Sequence, residues 1–315
     1  MNFPDYFCDH LNQAKELVRS NVLDAFPIAY SKSRGFVKYD ASDSGNMEDL
    51  EIFLSDTERD GFSSDRCETL HSDCLYAHFS GNLESEILNG LRLFGPLVFA
   101  PLMKRETPFI IAHMAQTLDG KICTNNGDSK WIGNTENLKH AHRVRAMVDG
   151  VMVGGNTVAN DLPRLNVRHV KGANPVRLLL SNTFNEFEKL PETPGMKTFL
   201  LRRIDNPVEK IVAPLTKVIY YDGETQKERI DDLLKSLKQE GIGSILLEGG
   251  PSTLTSFYSE NKIDKLQIHI APMIFGSGKS FIQLSEIKSV SDGRILKNVF
   301  YNAVGDGMMI TGELS

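Results

Sequence analysis

No apolar run in this 315-residue chain approaches the length of a membrane span. A basic excess is also missing. The net charge is −6, which argues against a broad nucleic-acid footprint while leaving room for a local basic pocket. Cysteine is scarce: Cys8, Cys67, Cys74 and Cys123 are scattered, with no CxxC pair, so neither a zinc ribbon nor a dithiol redox motif is expected. Free thiols fit a reducing compartment. The first residues lack a basic-then-apolar leader, so no signal peptide is expected and the chain reads as cytoplasmic. The GxGxxG fingerprint is absent, so a Rossmann domain is not inferred. A His beside a catalytic Glu, followed by Pro-Cys-x-x-Cys, is absent too, which removes zinc-dependent deamination. Tryptophan occurs once, at position 131.

What is present is an ordinary globular composition, 41% hydrophobic and 24% charged. Residues 1 to about 27 read as a helix, with Leu11, Ala14, Leu17, Val18 and Leu23 near helical spacing and Pro27 as its stop. Short strands are expected from Gly35 and at Glu51 to Leu54. Polar loops are expected at Ala41 to Asn46 and Asp56 to Asp65. Cys67, His71, Cys74 and His78 have spacings that fit one helix face, and a partly buried helix is preferred to a metal site. Leu83 to Leu93 reads as helical. Phe94 to Pro108, with three prolines, reads as an extended connector. Residues 1–95 are therefore taken as an N-terminal α+β appendage, 96–108 as the connector and 109–315 as the main domain.

From Phe109 onward, strands and helices alternate. Strands are expected at Phe109 to Ala115, Gly150 to Gly154, Val176 to Leu180, Thr198 to Leu201, Val218 to Tyr220, Ser244 to Leu247 and Lys265 to Ala271. Two closing strands follow near Phe300 to Val304 and Met308 to Thr311. Helices are expected at Asn134 to Val148 (capped by Thr135 and stopped by Gly150), Ile230 to Glu240 (ended by Gly241) and Ser252 to Glu260. Such alternation defines an α/β sheet with helices on both faces.

The chemistry-bearing residues sit at the breaks between elements. SILLEGGPSTL is strand, glycine turn, helix. Glycines 249 and 250 allow close backbone approach, and the helix start offers amide donors to a dinucleotide pyrophosphate. A tight turn with a capped helix explains this block equally well on its own. In VGGNTVANDLPRLNVR, Thr157 and Asp161 lie one helical turn apart. Arginine forks suit a sugar phosphate. Lys121, after Asp119-Gly120, fits either an exposed turn or a group that binds phosphate or donates a proton. Glu248 ends a strand where α/β sites gather and suits the amino and ring N–H groups of a heterocycle. The pair Arg202-Arg203, at another strand end, is a candidate reader of a 2′-phosphate. His140 and His142 fall on different helix faces, which makes them poor metal partners.

Taken together, TLDGK (117–121), GDSKWI (127–132), Arg145, VGGNTVANDLPRLNVR (153–168), LLEGGPST (246–253) and IAPMIFGSG (270–278) resemble the pyrimidine reductases of riboflavin biosynthesis. The resemblance covers about two-thirds of the chain. It implies a dihydrofolate-reductase-like mixed sheet, a homodimer, a pyridine-nucleotide cofactor and a phosphorylated pyrimidine substrate; the Arg202-Arg203 pair favours NADPH over NADH, and composition and spacing point to no nucleic acid, membrane or metal. It implies cofactor contacts from Ala115, Trp131, Gly154, Thr157, Asp161, Asn182, Gly249, Gly250, Pro251, Ser252 and Thr253. It places Leu165 and Glu248 on the substrate; Ser129, Arg145, Arg168 and Lys121 are the further substrate-side candidates, and Lys121, Asp161 and Glu248 are the catalytic candidates. Two departures stand out: Leu162 where many relatives repeat the Asp, and Asn156 where a small residue is expected. The bacterial fused members of the family carry a zinc deaminase that is not found here. A reductase acting on another heterocycle, and a non-catalytic nucleotide-binding protein on the same fold, are the alternative readings.

Overall fold

A computed structural model describes residues 5–20, 23, 28–31, 35–38, 52–55, 66–71, 75–79, 84–103, 105–208, 213 and 215–314. The polar loops expected at 41–46 and 56–65, the helix stop at Pro27, and Cys74 lie outside the described residues. The chain divides into two compact units, residues 2–106 and 107–315.

The first unit contains helix α1 (Asp5–Arg19), strands β1 (Ile28–Ser31), β2 (Gly35–Lys38), β3 (Ile52–Ser55), β4 (Arg66–His71) and β5 (Leu75–Phe79), helix α2 (Ser85–Val98) and a 3₁₀ turn (Ala100–Leu102). Its strands pair antiparallel in the order β2-β1-β3-β5-β4. Phe7, Leu11, Ala14 and Val18, one stripe of α1, are buried, and Phe7 packs edge-on to Tyr30. Two expectations are corrected here. Cys67, His71 and His78 lie on the β4–β5 hairpin and not on a helix. The segment beginning at Phe94 is not extended, because α2 runs through Pro96 to Val98. A proline in a helix costs about 3 kcal/mol. Burial of Leu91, Leu93, Phe94, Leu97 and Val98 on that helix outweighs the cost.

The second unit is built on a nine-stranded sheet. Its strands are β6 (Phe109–Gln116), β8 (Gly150–Gly154), β9 (Val176–Leu180), β10 (Thr198–Arg203), β11 (Thr216–Tyr221), β12 (Ser244–Leu247), β13 (Lys265–Ile270), β15 (Lys297–Val304) and β16 (Gly307–Glu313). Two short strands, β7 (Lys121–Cys123) and β14 (Lys279–Ser280), pair separately. The order across the sheet is β11-β10-β9-β8-β12-β6-β13-β16-β15. The first seven strands in that order are parallel, and β16 and β15 add antiparallel. The helices are α3 (Thr135–Met147), α4 (Gly155–Asp161), α5 (Gln226–Gln239) and α6 (Pro251–Ser259).

Strand alternation sorts the two faces. Ile110, Ala112 and Met114 of β6, with Ile245 and Leu247 of β12, join Leu233, Leu234 and Leu237 of α5 and Leu254 and Phe257 of α6 in one apolar core. The opposite face of β13 meets α3, where His140 Nε2 lies 3.1 Å from Gln267 Oε1. Local signals are refined in two places. Asn134, not Thr135, caps α3, its Oδ1 accepting from Asn137 N at 2.8 Å. Gly150 is not a helix stop but opens β8, where an added Cβ would lie 2.6 Å from Leu178 Cδ1.

The path of the chain places the site. It moves outward from β8 through β9 and β10 to β11, then returns to insert β12 between β8 and β6. Loops leaving the carboxyl ends of β8, β12 and β6 diverge at this reversal, and a crevice opens there.

Candidate active site

A cleft of about 1490 Å³ occupies that position. Its floor is formed by the turns after β8 and β12. Gly154 N donates to Gly249 O at 3.0 Å, and Gly250 N donates to Thr157 Oγ1 at 3.2 Å, so the two turns interlock. Both turns need their glycines. An added Cβ at Gly154 would lie 2.1 Å from Thr253 Oγ1, and Gly249 sits at φ +117°, a conformation open to glycine. Each turn feeds a helix start, α4 at Gly155 and α6 at Pro251. Backbone amides and the hydroxyls of Thr157, Ser252 and Thr253 therefore face one space. This donor set suits the pyrophosphate of a dinucleotide, and the cleft runs on to Ser181 and Asn182 at the end of β9.

Glu248 stands at the edge of this floor. Arg145 Nε and Nη2 donate to its two carboxylate oxygens at 2.6 and 2.7 Å. Burial disfavours the Arg145 charge, but the Glu248 charge and these bonds outweigh it and raise its pKa. The remaining Arg145 nitrogen, Nη1, donates to Asn166 O at 3.1 Å. Arg145 and Leu165 do not line the cleft, whereas Arg168 does. Leu165 is buried at φ +55° in the loop that carries Arg168.

Of the three catalytic candidates, Asp161 and Glu248 line the cleft and Lys121 does not. The Lys121 ammonium is instead 3.5 Å from Ser280 Oγ, across the β7–β14 pair. The neighbouring Asp119 is a clamp. It accepts from Thr117 Oγ1 at 2.5 Å, Phe275 N at 3.1 Å and Gly276 N at 2.8 Å, and the Thr117 hydroxyl foremost holds its pKa at about 2. The segment fixed in this way carries Lys279 to the cleft. The remaining expected residues, Ala115, Ser129, Trp131, Asn182 and Gly249 to Thr253, all line it. Trp131 sits on the rim at φ +69° and is 84% exposed.

One strand-end expectation is corrected. Arg202 does not reach outward to a 2′-phosphate. It is buried and donates to Ser181 O, Phe184 O and Asn185 Oδ1, bracing the loop after β9. Arg203 pairs with Asp205 at 2.7 Å. Sequence reasoning also missed a cleft residue. His113 lines the site from β6, and burial first of all lowers its pKa to about 4, so the ring is neutral. A lone histidine inside an otherwise apolar strand, four residues before a polar turn, was the available signal.

A mixed sheet with parallel strands, helices on both faces and a cleft at its reversal defines a dihydrofolate-reductase-like domain. Residues 108–310 match the model of the RibD C-terminal domain, and the chain belongs to that family. It is 35% identical over 216 residues to the riboflavin biosynthesis protein RibD of Aquifex aeolicus, covering 67% of this chain and 59% of that protein. It is 35% identical over 176 residues to the 2,5-diamino-6-ribosylamino-4(3H)-pyrimidinone 5′-phosphate reductase of Methanothermobacter thermautotrophicus, covering 54% of this chain and 80% of that one. Among solved structures, the deaminase/5-amino-6-(5-phosphoribosylamino)uracil reductase of Thermotoga maritima superposes with a TM-score of 0.57 at 26% identity, covering 75% of this chain and 64% of that one. The chain thus spans about three-fifths of the length of its RibD relatives.

Proposed function

We propose that this chain is an NADPH-dependent reductase that converts the ribosyl group of a ribosylamino-pyrimidine 5′-phosphate into a ribityl group, a step of riboflavin biosynthesis. The observation that carries this reading is Glu248, held by Arg145 where the interlocked glycine turns meet, with Arg168 lining the same cleft. The turns offer amides and hydroxyls to a pyrophosphate, and the carboxylate of Glu248 offers acceptors to the amino and ring N–H groups of a pyrimidine. Arg168 supplies a cationic fork for the sugar phosphate.

Opening of the ribosylamine ring takes a proton at the ring oxygen, and the exocyclic nitrogen releases its own proton as the C1′=N imine forms. Asp161, lining the cleft, holds a water that delivers this proton. When bound, the nicotinamide supplies a hydride to C1′, and the imine nitrogen takes up a proton to complete the ribitylamine. The chain's own work is to orient C1′ and to exclude bulk water. The names of the relatives support a substrate of this class.

The test is oxidation of NADPH and of NADH, followed by absorbance, with the uracil and the diaminopyrimidinone ribosyl phosphates. Substrate-dependent oxidation that prefers NADPH supports the reading. Tight NADPH binding without turnover on either substrate overturns it.

A further inference from the structure

The loop that carries Arg168 is held from behind at alternate residues. Arg177, on β9, donates to Arg164 O through Nε at 3.2 Å and Nη2 at 3.0 Å. Arg145, on α3, donates to Asn166 O at 3.1 Å. His142, one helical turn before Arg145, accepts the Arg168 N–H at Nδ1 at 3.1 Å. Between these ties Leu165 turns into the core, and Val167 N donates to Asn174 Oδ1 at 2.9 Å. Three side chains, of which Arg177 and His142 are buried, thus fix backbone positions 164, 166 and 168, and the last tie holds the residue that lines the cleft.

The tie at His142 sets its protonation. A ring that accepts at Nδ1 carries its single hydrogen on Nε2. Arg145 Nη1 lies 3.5 Å from Nε2; both atoms bear hydrogens, so the approach is a contact between donors and not a bond. The His169 ring meets the imidazole edge-on at 4.6 Å. The groups facing the ring are therefore Arg145 from α3 and Arg168 and His169 from the loop. Burial, and then the charges of Arg145 and Arg168, lower its pKa to about 3.

We propose that His142 is a positioning residue, whose neutral imidazole fixes the 164–168 loop so that Arg168 meets the phosphate of the substrate while Arg145 remains on Glu248. This inference rests on the reading of Arg168 given under Proposed function. It assigns His142 no part in proton transfer, and it predicts that the effect of the ring is constant across neutral pH.

The test uses the full chain. Binding of the ribosylamino-pyrimidine phosphate and of its dephosphorylated form is measured by calorimetry with NADP⁺ present, so that no turnover occurs. His142→Ala is expected to weaken binding of the phosphate form by roughly tenfold, the scale of one lost hydrogen bond that positions a charged group. The dephosphorylated form and NADP⁺ itself should bind as before. His142→Asn, with an amide oxygen near the place of Nδ1, should recover most of the loss, and the deficit of His142→Ala should be the same at pH 5.5 and pH 8. Arg168→Ala separates the two claims. If it removes the phosphate preference while His142→Ala leaves it intact, the positioning role of His142 is overturned and the reading of the cleft stands. If Arg168→Ala has no effect on phosphate preference, the reading of Arg168 falls and this inference with it. A His142→Ala deficit equal for both ligand forms, or one that titrates between pH 5.5 and 8, also overturns the inference.

Discussion

Arg145 and Glu248, 103 residues apart, meet in a two-pronged ion pair of 2.6 and 2.7 Å, with side chains 12% and 15% exposed. The pair joins α3 to the end of β12 and fixes the carboxylate at the edge of the cleft. It also engages the fork of Arg145, which sequence reasoning had placed beside Arg168 on the substrate phosphate.

Removing one partner leaves the other charged and poorly solvated. Arg145→Ala should therefore destabilise the domain by about 2–3 kcal/mol, somewhat below the range for fully buried pairs because the cleft keeps this one partly wet. Arg145→Lys should recover little, since an ammonium cannot span both carboxylate oxygens. Urea unfolding of the three proteins measures this, and an Arg145→Lys protein as stable as the unaltered chain contradicts it.

The glycine turns predict a separation of cofactor binding from folding. Gly250→Val puts a branched side chain where Thr157 Oγ1 is already 3.2 Å from an added Cβ. Affinity for NADPH should fall by at least about tenfold, the equivalent of about 1.4 kcal/mol, with little change in Tm. Gly154→Ala, whose Cβ would meet Thr253 Oγ1 at 2.1 Å, should lower both. Fluorescence titration with NADPH, read beside thermal melts, distinguishes the two. Unchanged affinity in Gly250→Val refutes the assignment of that turn.

Acid should weaken the fold through its buried histidines. Burial foremost lowers His113 to about 4, His140 to about 3 and His142 to about 3. In the unfolded chain an imidazole titrates near ~6.5. Below that pH the unfolded state takes up protons that the folded state refuses, so stability is fully present above about 6.5 and is lost as pH falls toward 4 and 3. The urea midpoint should be flat from pH 7 to 8 and decline steadily from 6.5 to 4, with a shallower slope in His140→Gln. A midpoint constant down to pH 4.5 would count against this arrangement.

Trp131, the single tryptophan, is exposed on the rim of the cleft and reports on whatever binds there. NADPH should quench its emission by energy transfer to the nicotinamide, and Trp131→Phe should abolish the signal. Saturable NADPH binding with unchanged emission would place the nicotinamide away from this rim.

Much of the main domain was legible because its strands are short apolar runs closed by glycine turns, as at Gly150 to Gly154 and Ser244 to Gly250. The segment at Pro96 was misread because proline is a strong local signal against helix, and the burial that overrides it in α2 belongs to the folded unit. Thr135 lost its expected cap role to Asn134, one residue earlier. Asn134 also donates to Val304 O and Asp306 Oδ1 at 2.6 Å, partners 170 residues or more away. Local pattern did not show that Arg202 turns inward, that Lys121 stays off the cleft, or that Arg145 reaches Glu248. Each depends on which strand lies beside which. His113 was hidden within a run read only for its hydrophobicity.

In the proposed reaction, hydride reaches C1′ of the ribosyl group. The measurement that tests it most directly is a single turnover with NADPH deuterated at nicotinamide C4 on one face and then on the other, with the product analysed by mass spectrometry and NMR. One deuterium is expected at C1′ of a ribitylamino product, delivered from one face only. Deuterium in the heterocycle, or a product left unlabelled by both deuterated cofactors, would contradict it.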